Sequence, residues 1–419
     1  MTDSTGRGIS RRSTLALMGA GAVSLATPWV ARAQAKAIRI GMPTILSGRV
    51  AQLGLSSRNA VMMEVEKVNA AGGLAGRPIE MVVRDSKGQP QEAARIAREL
   101  INSDGCEMLI DGEASSGAFA VHEVARDLGF LCIHTNSETS SLTADPKLRI
   151  PNAFRCARQG IHDSIVGGSY AAAIAKTKNL KRWASCSPDY AYGRDTTGEF
   201  MLYLKHFAPD VEVVAESWPK LFQPDYTESL TKLLQAKPQA VYSALWGGDI
   251  SAFIDQANIY ALFSQMTLFA VNLADYTALT AVKNLPKGIH SGNRYLKIFP
   301  ATPQNAAWAD AYRAKYNEYP TNWAWQNALS VTFLSEAAKK ANSTDGKKLA
   351  EALHGLTVAS PFGEQGKVTM RGEDQTIIDY AIGWGTTIPT EPYLTDMQPG
   401  NWAQITQLEA EWKKSKGYT

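Results

Sequence analysis

Ile110-Asp111-Gly112-Glu113-Ala114-Ser115-Ser116-Gly117 is the stretch whose reading decides the fold. The apolar run 106–110 before it reads as a strand, and the periodic pattern 119–128 after it reads as a helix. A strand that passes directly into a helix leaves backbone N–H groups without internal partners, at the positive end of the helix dipole. Ser115 and Ser116 add hydroxyl donors at that junction. A carboxylate held there gains roughly 0.3–1 kcal/mol from the dipole. Each charge-assisted hydrogen bond adds about 1.5–3 kcal/mol. Capping of the helix by Ser115 or Ser116 is the competing reading of the same residues.

On either side the same alternation continues. Upstream, 38–40 opens a strand, and the loop 44–54 leads to an amphipathic helix through Met62, Met63, Val65 and Val68. The turn Ala71-Gly72-Gly73-Leu74-Ala75-Gly76-Arg77-Pro78 stops it. A strand at 79–83, a helix at 90–101 with proline at its start, and a strand at 130–133 follow. After Phe154-Arg155-Cys156 the rhythm restarts, with helices at 163–176, 195–207, 226–234 and 250–262 and strands at 182–186, 211–215, 240–245 and 267–270. Alternation without hairpin signals predicts an α/β fold of two doubly wound parallel-sheet lobes with helices on both faces. The last third, with helices at 305–317, 328–340 and 347–353 and strands at 367–370 and 379–384, holds too few strands for a third lobe and completes the first two.

The first 35 residues read as an export signal. Ser10-Arg11-Arg12-Ser13-Thr14-Leu15 has a twin-arginine character, 15–31 is uncharged and rich in Gly and Ala, and Ala33-Gln34-Ala35 supplies a cleavage site. The stretch 15–31 is shorter than the about 20 apolar residues a membrane span requires, so no membrane span is expected. Four of the 43 basic and one of the 40 acidic residues fall in this segment, so the remaining 384 residues carry 39 of each. That neutrality gives no electrostatic reason to expect nucleic acid as a partner. Cys106, Cys132, Cys156 and Cys186 have no zinc-like spacing. An exported protein permits a disulfide, but the apolar runs around three of the four favour buried free thiols.

In open α/β sheets, ligands bind at the carboxyl ends of strands. Six loops meet that condition: 47–53, 112–117, 134–139, 187–195, 246–249 and 272–276. Two facing lobes would aim all six at one cleft.

Four stretches occur in a telling order: Ser47-Gly48-Arg49-Val50-Ala51-Gln52-Leu53-Gly54, Asn69-Ala70-Ala71-Gly72-Gly73-Leu74-Ala75-Gly76-Arg77, 112–116, and Asp189-Tyr190-Ala191-Tyr192-Gly193-Arg194. The ordered set resembles the extracytoplasmic solute-binding proteins of ABC importers, in the leucine/isoleucine/valine-binding branch, over roughly 38–384. The resemblance implies a bilobed periplasmic-binding-protein fold whose hinge has three crossings, near Cys156, Ile289 and Phe362. The lobes would be 36–156 with 290–361, and 157–289 with 362–419. It further implies that a ligand carboxylate is held by Ser115, Ser116 and the loop Asn136-Ser137-Glu138. A tyrosine and an acid on the second lobe would meet an ammonium. Tyr192 stands at the tyrosine position, Trp246 where a second tyrosine is usual, and Leu53 where the first loop often carries an aromatic residue. The acidic position falls near Leu273, with Asp275 close by but not clearly equivalent. Glu138 replaces a common threonine; a carboxylate there repels an anion or else meets a cation or a hydroxyl. Trp246, Tyr190 and Tyr192 present π-faces suited to a flat ligand, with packing between lobes as the alternative.

The implied function is capture of a small amino-acid-like or aromatic carboxylate in the periplasm and its delivery to ABC permease membrane subunits, with no cofactor and no metal. A sensory binding protein of the same fold is the second possibility. A serine hydrolase is the third: Glu113-Ala114-Ser115-Ser116-Gly117 lacks the first glycine of a nucleophile elbow, and His122, on the predicted helix, is the one histidine close to Ser115 in sequence.

Overall fold

The structure, a computed structural model, describes residues 36–418, so the expected export signal lies outside the described residues. Ile38–Thr44 (β1), Ile79–Asp85 (β2), Met108–Asp111 (β3), Leu131–His134 (β4) and Ala153–Arg155 (β5) form one parallel sheet in the order β2-β1-β3-β4-β5. All residues of β3 and β4 are buried, as expected where helices cover both faces of a parallel sheet.

The second sheet begins with Arg182–Cys186 (β6), Glu212–Ser217 (β7), Ala240–Ser243 (β8), Thr267–Ala270 (β9), Ala274–Asp275 (β10) and His290–Tyr295 (β11). The chain then makes a small antiparallel sheet from Thr357–Ala359 (β12), Lys367–Met370 (β13) and Ile377–Ile378 (β14). It returns to the second sheet with Gly383–Thr387 (β15) and Leu394–Pro399 (β16), giving the order β16-β15-β11-β9-β8-β6-β7 with β10 beside β11. The core around this sheet is aromatic. Phe200 stacks on Tyr242 at 3.8 Å, and the Trp183 and Phe269 rings are 4.8 Å apart.

Two expected boundaries move. Residues 290–295 belong to the second sheet, not with 290–361 in the first half: His290 pairs with Phe269 and Gly292 with Trp384. Residues 362–378 stay with the first half, because β13 pairs with β12 and the Arg155 N–H donates to the Gln375 carbonyl at 2.8 Å. The passages between sheets therefore lie at 156–159, 296–302 and 379–382. Periodicity identifies a strand but not the sheet it joins, which is why the sequence places these two passages early.

The antiparallel pair β15–β16 and the helix Trp402–Lys416 were not expected. Asn401 starts that helix by accepting from the N–H groups of Ala403 and Gln404. The expected helix at 328–340 starts earlier, at Asn322, because the Thr321 side chain accepts from the Ala324 N–H. All four cysteines are free and buried. Among the described residues no helix is long and apolar enough to cross a membrane.

The helix Ala51–Ala70 lies so close to the end of β1 that a Cβ on Gly54 would sit 1.8 Å from the Ile45 carbonyl oxygen. Gly54→Ala is expected to destabilise the fold by about 1–3 kcal/mol. Gly198, in the helix Ala191–Phe207, has open space at the same point. Gly198→Ala should gain about 0.5–1 kcal/mol from helix propensity. Urea denaturation of both variants checks the pair; equal midpoints would refute the close approach.

Candidate functional site

The turn after β3 builds the first wall. The Asp111 side chain accepts the Glu113 N–H at 3.2 Å, and Ala114 is the N-cap of the helix Ser115–Leu128 in extended conformation. Among the described residues no side chain caps this helix, and Ser115 is its first helical residue and not its cap. The first bond of the ladder runs from the Ala118 N–H to the Ala114 carbonyl at 2.9 Å, which leaves the N–H groups of Ser115, Ser116 and Gly117 ahead of it. The Ser115 hydroxyl is approached by that of Ser137 at 3.4 Å.

This helix terminus opens on a cavity of about 450 Å³, including space open to solvent. All six strand-end loops reach it, through Leu53, Ala114 and Ser115, Asn136 and Glu138, Tyr190 and Tyr192, Trp246 and Gly247, and Asn272 and Asp275. Seven of the nine residues singled out from the sequence line it: Leu53, Ser115, Asn136, Glu138, Tyr192, Trp246 and Asp275. Two do not. Ser116 is half-buried off the cavity, and Ser137 stands behind Ser115.

Thr277, Arg294, Asn322 and Trp323 complete the lining and were missed. They come from positions where strand-end reasoning does not look: a short helix, the strand β11, and the start of the helix Asn322–Ala341. The threonine cap at Thr321 was the available signal for the last pair.

Charge in the cavity is paired within the protein. Glu138 forms a salt bridge to Arg294 and accepts from Asn322 Nδ2 at 2.7 Å. Arg294 also binds Asp163 at 2.6 Å, and Asp163 binds Arg158 at 2.5 Å. Burial opposes ionisation of Asp163, yet Arg158 and Arg294 hold its pKa below the usual carboxylate range. The repulsion expected of Glu138 is thus met by an internal cation. Asp275 accepts the Asn322 N–H at 2.6 Å, the Thr277 N–H at 3.0 Å and the Thr277 hydroxyl at 2.5 Å; burial still pushes its pKa up.

The aromatic side chains face one another across the gap. The rings of Trp246, from the second sheet's loop, and Trp323, from the first half, are 5.6 Å apart. The Tyr192 hydroxyl donates to Asn272 Oδ1 at 3.0 Å, which fixes the phenol. Trp246 Nε1 is buried beside the Tyr190 hydroxyl and has no well-aligned hydrogen-bond partner among the described residues. His122 is buried, and it bonds His134 and the Leu148 carbonyl, not Ser115.

A sequence profile described as periplasmic binding protein matches residues 37–382. The chain belongs to the periplasmic binding protein family. A leucine-, isoleucine-, valine-, threonine- and alanine-binding protein of Pseudomonas aeruginosa is 25% identical over 351 residues, covering 83% of this chain and 90% of that protein. Among solved structures, the solute-binding protein of an ABC transporter from Rhodopseudomonas palustris, in complex with 3,4-dihydroxybenzoic acid, superposes with a TM-score of 0.78. Its identity is 22%, over 87% of this chain and 96% of that one. A second solute-binding protein from that organism, in complex with benzoate, gives a TM-score of 0.75 at 21% identity, again over 87% and 96%. The architecture of this periplasmic binding protein is therefore shared, while so low an identity carries no side-chain chemistry across.

Ser115→Ala removes one hydroxyl donor and leaves the uncapped helix terminus in place. For a carboxylate ligand it is expected to weaken binding at least about tenfold, the loss of one charge-assisted hydrogen bond. The unfolding midpoint should not change. Titration calorimetry and a melting curve check the two parts.

Proposed function

We propose that this protein is the exported solute-binding component of an ABC importer, which captures a small aromatic or amino-acid-like carboxylate between two lobes in the periplasm and delivers it to membrane permease subunits. The observation that carries this reading is convergence: strand-end loops of both sheets line one cavity, and an uncapped helix N-terminus opens on it. The ligand carboxylate sits at Ser115, where the dipole and free N–H groups meet it. Trp246, Trp323, Tyr190 and Tyr192 sandwich a flat body. The amino-acid-binding relative and the neighbours in complex with benzoate and 3,4-dihydroxybenzoic acid support this ligand range.

On this reading the first lobe comprises 36–155 and 303–378, and the second 160–295 and 383–418. The three passages between them act as the hinge. Segment 1–35 is the signal that takes the chain across the inner membrane.

Screening benzoate, hydroxybenzoates, aromatic amino acids and branched-chain amino acids by thermal shift and tryptophan fluorescence tests the proposal. A true ligand at 100 times its Kd should add about 2.7 kcal/mol to stability. Trp246→Ala should weaken the same ligand by about tenfold or more, the energy of one stacked aromatic face. Silence across the whole panel would sink the transport reading.

A further inference from the structure

We infer that the cavity selects carboxylates without an α-ammonium group, and that Arg294 sets this preference by holding, from within the protein, the acidic group an ammonium would otherwise meet. This rests on the carboxylate reading above and narrows it. Two carboxyl groups line the cavity, Glu138 and Asp275. An α-amino acid needs at least one of them as a counter-charge, and both are already engaged.

Glu138 has a donor on each oxygen, Asn322 Nδ2 on one and Arg294 Nη2 on the other. Arg294 cannot turn away without giving up a second buried carboxylate, because its other nitrogen holds Asp163 opposite Arg158. Asp275 is met by backbone N–H groups at the first turns of two helices, Tyr276–Ala281 and Asn322–Ala341, and by a hydroxyl. Those donors stabilise it without a mobile cation.

The donor side is the reverse. Of the buried side-chain polar atoms lining the cavity, the one without a well-aligned partner among the described residues is a donor, Trp246 Nε1, whose nearest acceptor is the Tyr190 hydroxyl. The helix terminus at Ser115 adds backbone donors. Unused donors facing engaged acceptors suit a ligand that brings oxygen acceptors. An α-ammonium would instead bring three N–H donors beside a buried guanidinium, where repulsion is poorly screened.

Matched pairs isolate the ammonium. 3-Phenylpropanoate and phenylalanine differ by that group alone, as do 4-methylpentanoate and leucine. Calorimetric titration of the full mature chain with all four, and with benzoate, should show the des-amino acid at least tenfold tighter in each pair that binds. Equal or tighter binding of either amino acid overturns the inference but leaves the carboxylate site standing. Absence of binding by all five overturns both.

Arg294→Gln leaves Glu138 without its cation and should move the des-amino to amino ratio at least tenfold toward the amino acid; an unchanged ratio refutes the role of Arg294. Glu138→Gln supplies an independent check if Arg294→Gln does not fold. It leaves Arg294 uncompensated on the cavity side and should widen the ratio, and a narrowed ratio overturns the inference. A purely structural effect of either substitution would weaken both members of a pair alike.

Discussion

The guanidinium of Arg294 lies between two carboxylates, Glu138 from the loop after β4 and Asp163 from the helix Gly160–Lys178, and all three groups are buried. Taking such charges out of water costs several kcal/mol per ion, and removing one partner of a buried pair typically costs about 3–5 kcal/mol. The arrangement persists because opposite charges continue behind it. Asp163 is shared with Arg158, whose guanidinium carbon lies 5.2 Å from the centre of the Tyr380 ring and whose N–H donates to Gln326 Oε1 at 2.8 Å. The Tyr380 hydroxyl bonds His162, which stands 3.1 Å from Glu409, and Glu409 shares Arg371 with Asp374. Burial alone would neutralise Glu409, but His162 and Arg371 hold its pKa well below the usual range. Arg158 and Tyr380 come from the first and third passages, and Arg294 precedes the second. One charge network thus fixes the places where the chain changes sheets, and it also sets the polarity of the cavity wall.

A second buried chain shows how the same physics yields scaffold and not site. His134 Nδ1 lies 2.5 Å from Asp111, His134 Nε2 3.0 Å from His122 Nδ1, and His122 Nε2 2.9 Å from the Leu148 carbonyl. A carbonyl only accepts, so His122 carries its proton on Nε2 and takes the His134 proton at Nδ1. His134 and Asp111 are left to share one further proton. Burial lowers the pKa of His134 to about 3 and of His122 to about 4, and raises that of Asp111 well above its usual value, which favours a neutral pair over an ion pair. This carboxyl, histidine, histidine order has the composition of a catalytic relay. It ends on a backbone carbonyl away from Ser115 and locks β3 to β4 beneath the serine turn.

The parts legible in sequence were those with local causes. The turn at 110–117 and the strand ends each announce themselves within a few residues, whereas Tyr192 and Trp246 were placed by the family resemblance; all six loops meet at the cavity. What stayed hidden depends on pairing between distant segments. Arg294 sits in a strand, His-Ser-Gly-Asn-Arg-Tyr, whose polar composition reads as a strand end reaching solvent, yet whose every residue is buried. Its partners Glu138 and Asp163 are 156 and 131 residues away in the chain. Asn322 and Trp323 open a helix whose first two turns, Asn-Trp-Ala-Trp-Gln-Asn, carry too many polar groups to read as core-facing, yet all six are buried: Asn322 and Trp323 line the cavity, Gln326 accepts the Arg158 N–H and Asn327 donates to Asn136. Glu138 looked anomalous for the same reason: its countercharge lies in the other half.

The contacts across the gap differ in kind from rim to floor. At the rim, Arg49 lies 3.5 Å from Asp249 and is more than a third exposed, a geometry worth no more than about 1 kcal/mol. Gly247 adds close packing there: a Cβ on it would fall 3.1 Å from Val50, so the glycine lets the two lips approach. On the floor, Glu138 with Arg294 and Asp275 with the Asn322 N–H are short, buried and charge-assisted. If the three passages act as the hinge proposed above, rotation about them would move the rim contacts most and the floor contacts least, and the halves would part at the rim at small cost while the floor stays paired. A solute that touches both Ser115 and Trp246 contributes where the protein's own contacts are weakest, and that difference in contact between open and closed forms is the only means by which a ligand shifts the balance between them.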